Sequence, residues 1–159
     1  MHCQLDELKI IFDVAAAARD ALLKKYPGGI GIEEFTRRAA NVTCGLLLLE
    51  NYDVFIQQGI INFKGKEFRY YWVELYLAGE AFVLDAVLPL FTEGAGVQAS
   101  DIIFLPLDEA AAMYGYGAGS DYEWRREDCE EIVWETVLAT LNIKKSPGEI
   151  MEEIADTIF

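Results

Sequence analysis

At the beginning of the chain, hydrophobic residues recur among polar ones with the period of an amphipathic helix. From Leu5 to Tyr26, apolar residues recur at every third or fourth position, and Pro27-Gly28-Gly29 follows directly. That spacing places the apolar side chains on one face of a helix, and the proline-glycine segment ends it. We therefore predict a first helix over these residues.

A second helix is predicted from about Ile32, with a break before it continues. Asn41 or Thr43 has the side chain of a helix cap, so the helix is expected to restart at Cys44. It would then run to about Gln58 and end at Gly59.

The middle of the chain is rich in β-branched and aromatic residues. Three such runs, Ile60–Phe63, Lys66–Leu77 and Glu80–Leu88, are separated by short glycine-containing turns, which is typical of an antiparallel meander. A fourth short strand is predicted over Ile102–Leu107, after a loop at Gly94-Ala95-Gly96.

The C-terminal part returns to helical patterns. A short helix is expected around Leu107–Met113, followed by a glycine-rich loop to Ser120. A long helix is predicted next, with an inner stripe of Cys129, Ile132, Val133, Val137 and Leu141. Ser146-Pro147-Gly148-Glu149 is a capping-box pattern that opens a last helix.

The expected fold is a single α+β domain over residues 1–159, with helices packed on a three- to four-stranded antiparallel sheet.

The net charge of the chain limits the classes of partner that it is expected to bind. The net charge is −14, and residues 101–159 carry 4 Lys or Arg against 14 Asp or Glu. Nucleic acids and anionic membrane surfaces are disfavoured, because both are bound through clustered Lys and Arg. An acidic surface suits a basic protein partner, although it also serves solubility alone.

Cysteine and histidine usage excludes several kinds of site. Cys3, Cys44 and Cys129 share no short spacing, and His2 is the only histidine. We therefore expect reduced thiols, no metal site, no cofactor and no ordinary serine–histidine relay. No apolar run approaches the roughly 20 residues of a membrane helix, and no signal peptide is evident, so a cytoplasmic location is expected.

The predicted meander brings an acid and a tyrosine together. If Ala78-Gly79 is the turn, side-chain alternation puts Tyr70, Trp72 and Asp85 on one face of the sheet. Asp85 would lie opposite Trp72 and diagonal to Tyr70, within reach of its long side chain.

The same segment resembles the papain-like and transglutaminase-like cysteine enzymes. The similarity covers residues 41 to 88, where Thr43-Cys44-Gly45 is followed by Tyr70-Tyr71-Trp72-Val73-Glu74 and by Val83-Leu84-Asp85. The resemblance implies a nucleophile at Cys44, at a helix N-terminus facing the sheet, and an orienting acid at Asp85. Tyr70 occupies the position of the catalytic histidine, and a tyrosine is a poor base near neutral pH. The resemblance therefore implies a degenerate enzyme whose scaffold is kept for binding.

Three functions remain open from the sequence. The leading one is a non-catalytic acidic protein-binding module of the inhibitor or immunity type. Its candidate contact residues are Trp72, Glu74, Trp124, Arg125, Glu127, Asp128 and Glu131. The second is a cysteine hydrolase or acyl-transferase that uses Cys44 and Asp85, with Tyr70 or a group from a partner as the base. The third is an assembly subunit that forms homo-oligomers through its aromatic face. An alternative without any functional role is that Cys44 and the aromatic residues of the sheet simply form part of the packed core.

Overall fold

The chain folds into helices and one antiparallel sheet in the computed structural model, which describes residues 2–63, 65–92, 102–117 and 119–158. The elements are α1 (His2–Lys25), α2 (Ile32–Leu49), β1 (Asp53–Phe63), β2 (Lys66–Leu77), β3 (Glu80–Asp85), α3 (Leu88–Thr92), β4 (Ile103–Pro106), α4 (Leu107–Tyr114), β5 (Ser120–Tyr122), a 3₁₀ turn (Arg126–Asp128), α5 (Glu131–Thr140) and α6 (Pro147–Ile158). The predicted α+β class is confirmed. The loop predicted at Gly94-Ala95-Gly96 lies outside the described residues.

Among the described residues, the sheet has five strands in the order β4-β3-β2-β1-β5. The prediction of three or four strands was wrong because β5 is only three residues long and follows a glycine-rich loop, so it has no visible alternation. The predicted β2–β3 register is confirmed, since Leu77 pairs with Glu80 and Glu74 with Val83.

The predicted break in α2 was also wrong, because the polar residues proposed as caps form other contacts. The Thr43 hydroxyl donates to the carbonyl of Ala39 at 2.8 Å, within the helix. The Asn41 amide instead bridges to the segment before α5, where its oxygen accepts from the backbone N–H of Arg125. The helix ends at Leu49, and Asn51 adopts a left-handed φ of 66° that redirects the chain into β1.

Each face of the sheet has its own core. On one face, α2 packs directly on the sheet, and α1, α5 and α6 pack around it; this core includes Val54, Tyr71, Val73 and Leu84. The other face is partly covered by α4 and the segment after it; its core consists of Ile61, Tyr70, Trp72, Val83, Leu88, Ile103, Ala110 and Tyr116.

The C-terminal helices follow the predicted pattern only in part. The capping box is confirmed, since the N–H of Glu149 donates to Ser146 Oγ and the N–H of Ser146 donates to Glu149 Oε1, both at 3.2 Å. The long helix is shorter than predicted, because α5 begins at Glu131 and leaves Cys129 outside it. Ile132 is 52% exposed and does not belong to the inner stripe.

Within the described ranges, no helix combines the length and apolar character needed to cross a membrane.

Candidate functional site

The carboxylate of Asp85 is the centre of a buried hydrogen-bond network. The hydroxyls of Tyr70 and Tyr116 donate to its Oδ2 at 2.8 and 2.6 Å. The backbone N–H groups of Val87 and Leu88 donate to its Oδ1 at 2.8 and 3.2 Å. Each carboxylate oxygen therefore accepts two hydrogen bonds, which is how a buried acid is compensated for lost water.

Burial controls the protonation of this network. Desolvation raises the pKa of the Asp85 carboxyl, and the donors around it oppose that shift. Burial, together with the nearby Asp85 carboxylate, raises the pKa of Tyr70 and of Tyr116 well above the usual value. Both tyrosines therefore stay protonated and act as hydrogen-bond donors, not as bases.

Cys44 lies on the other side of the sheet from this network. It is an interior residue of α2, 3% exposed, and it packs in the core that contains Tyr71 and Val73. Burial raises the pKa of its thiol to about 12. The predicted position of Cys44 at a helix start facing Asp85 was therefore wrong. The first residue of α2, Ile32, is the one that packs against the core around Tyr70.

Of the tryptophans predicted as binding contacts, one is buried and the other is half-buried. Trp72 is 2% exposed, its ring lies 5.2 Å from that of Tyr116, and its indole N–H donates to Glu74 at 3.4 Å. Trp124 is half-buried, with its indole nitrogen close to Gly45 of α2. By contrast, Arg125 is exposed, with its guanidinium 5.1 Å above the ring of Tyr122.

The acidic residues predicted before and within α5 divide into two groups. Glu127 and Glu131 are exposed. Asp128 accepts a hydrogen bond of 2.8 Å from the Tyr122 hydroxyl and lies 3.6 Å from the guanidinium of Arg37. The predicted acidic face is therefore smaller than the sequence indicated, because part of it anchors α2.

One solvent-exposed part of the sheet was not predicted from the sequence. Phe55 and Tyr76, which are 41% and 40% exposed, meet edge to face with ring centroids 5.9 Å apart. Asp53 pairs with Tyr76, Glu74 pairs with Phe55, and Asp121 lies on the adjacent edge strand. We call these five residues the acidic sheet face. It was missed because residues 53–58 were assigned to a helix, although Val54-Phe55-Ile56 has strong strand propensity.

No cluster of three or more histidine, cysteine, aspartate or glutamate residues in the described part of the chain has the arrangement of a metal site.

No protein-family model, curated protein or solved structure matches this chain.

Proposed function

We propose that the protein is a non-catalytic binding module that recognises a basic protein partner, as an inhibitor or immunity protein does. The observation that carries this proposal is the excess of exposed carboxylates that form no ion pair within the described residues. Arg37 and Arg38 of α2 already form ion pairs with Glu34, Asp128 and Glu130. The following carboxylates are exposed and form no ion pair within the described residues: Asp53, Asp121, Glu123, Glu127, Glu131 and Glu135.

The geometry of the polar residues supports a non-catalytic role. Asp85 has all of its strong acceptor positions filled, and Tyr70 is a buried donor. Cys44 lies across the sheet from both. The rival cysteine-enzyme hypothesis would need these groups to meet, because a nucleophile and its base must come within hydrogen-bond reach.

The relation to papain-like and transglutaminase-like scaffolds stays a prediction. It is supported by the Tyr70–Asp85 hydrogen bond and by the approach of the α2 N-terminus to that side of the sheet. The position of Cys44 favours the degenerate form over an active one. A cytoplasmic location likewise stays a prediction from the sequence.

Binding of a cationic probe tests the proposal. The probe is a fluorescein-labelled peptide of about a dozen residues in which arginine alternates with alanine, and the control peptide carries neutral citrulline in place of arginine. We expect fluorescence anisotropy to show binding of the arginine peptide alone, weakened at least tenfold between about 20 and about 300 mM NaCl. Equal binding of both peptides, or binding of neither, contradicts the proposal.

A further inference from the structure

A groove beside the acidic sheet face combines apolar walls with an acidic rim. It has a volume of about 290 Å³ and lies between the start of β1, the end of β5 and α2. Cys44, Val54, Tyr122 and Trp124 line it on the helix side of the sheet, and Phe55 lines it from the acidic sheet face. This lining suits a ligand group with an apolar body.

The rim of the groove is negatively charged. Asp121 and Glu123 are exposed lining residues, and none of the described Lys or Arg residues lines the groove. Asp121 also accepts a hydrogen bond of 2.5 Å from Gln57, which fixes the carboxylate in place. After burial, the Asp121 carboxylate is a further cause of the raised pKa of Glu74. A cation at the rim would relieve this repulsion between like charges.

We propose that this groove binds an Arg or Lys side chain of the basic protein partner. The aliphatic stem would lie against Phe55, and the cationic group would lie between Asp121 and Glu123. Long cationic side chains bury their methylene groups while they keep the charge in a polar environment, so their two ends match the wall and the rim. This inference rests on the proposed function and assigns it a site.

The strand next to the groove favours an extended segment as the carrier of that side chain. On the edge of β1 away from β2, β5 pairs only with Ile56 to Gln58. Residues Asp53 to Phe55 therefore have no strand partner on that edge among the described strands. A strand edge without a pairing partner can accept an extended peptide, which would place alternate side chains toward the groove.

Two pairs of substitutions that remove the same charge test the site with the arginine–alanine peptide. Asp121→Asn with Glu123→Gln neutralises the rim and keeps an acceptor for Gln57. Asp108→Asn with Glu109→Gln removes two exposed carboxylates of α4, far from the groove lining, and is the matched control. We expect the rim variant to bind at least about tenfold more weakly than the wild type, and the control variant less than about twofold more weakly.

A third variant tests the apolar wall. Phe55→Ser removes an exposed aromatic side chain, so the fold should persist; an unchanged urea midpoint would verify this. We expect about fivefold weaker binding that persists at high salt, where charge effects are screened. Equal losses in the rim and control pairs would overturn the groove and leave the proposed function standing. A wild-type protein that binds no cationic peptide would overturn both.

Discussion

At the scale of single residues, Asp85 shows how a buried acid can serve the fold. Tyr70 comes from β2, Asp85 ends β3, and Tyr116 lies in the segment after α4. The carboxylate therefore joins two strands to a segment that is also held by the β-bridge between Tyr116 and Ile61 and by the packing of Tyr116 on Trp72. We infer that the network fixes this segment over the second core.

Tyr116→Phe tests this structural role. The substitution keeps the ring and removes one donor to a buried carboxylate, so the free energy of unfolding should fall by about 1–3 kcal/mol. Tyr76→Phe is the control: its ring is 40% exposed, and we expect a change within about 0.5 kcal/mol. Urea denaturation followed by circular dichroism measures both, and equal changes would contradict the role assigned to the network.

The thiol of Cys44 gives a prediction about pH. A raised pKa stabilises the protonated form, so the reactive thiolate becomes abundant only as the pH approaches about 12. Together with burial, this predicts negligible alkylation of Cys44 in the native protein between pH 5 and 9. Peptide mass spectrometry after iodoacetamide treatment measures it, with the urea-unfolded protein as the positive control. Fast modification near pH 6 would revive the cysteine-enzyme hypothesis.

At the scale of secondary-structure elements, the alternation of side chains along the strands gave correct predictions. It predicted β2 with its correct ends and placed Tyr70 and Asp85 on one face, because the turn at Ala78-Gly79 fixes the register. The α2–β1 boundary was missed because it lies at Asn51, without a proline or glycine, whereas Gly59 lies inside β1 opposite Tyr70. Tyr116 could not be assigned to the site, since only the tertiary fold brings it to Asp85.

Packing predicts opposite effects of alanine substitution at Gly45 of α2 and at Gly148 of α6. A Cβ on Gly45 would lie 2.8 Å from Ile154 Cδ1 and 2.9 Å from Trp124 Nε1, whereas at Gly148 the nearest atom is Ser146 Oγ at 4.0 Å. Alanine normally favours a helix over glycine. We therefore expect Gly148→Ala to raise the free energy of unfolding by up to about 1 kcal/mol.

For Gly45→Ala, we expect the clash to outweigh helix propensity and to lower the free energy of unfolding by about 1–3 kcal/mol. Thermal and urea unfolding of the two variants, compared with the wild type, measure the difference. A stabilised Gly45→Ala protein would mean that α6 and Trp124 do not pack closely against this part of α2.

At the scale of the whole molecule, one cluster of ion pairs is partly buried, whereas the excess negative charge lies on the surface. The partly buried cluster of Arg37 and Arg38 with Glu34, Asp128 and Glu130 connects α2 to the segment before α5. Outside it, exposed carboxylates outnumber exposed cations, in keeping with the net charge of −14. The inner charges stabilise one arrangement of helices, whereas the outer charges repel one another in the compact state.

This division predicts that added salt stabilises the protein. Screening reduces repulsion among exposed carboxylates more than it weakens the partly buried pairs, so the urea midpoint should rise between about 20 and about 500 mM NaCl, by the order of 1 kcal/mol in unfolding free energy. Urea is the suitable denaturant because guanidinium is itself a salt. A variant with Glu131→Gln and Glu135→Gln should gain less, since it starts with two fewer repelling charges. A urea midpoint that falls with added salt would mean that attraction within the ion pairs outweighs repulsion among the exposed carboxylates. A cationic partner would then bind without relieving a net repulsion at the surface.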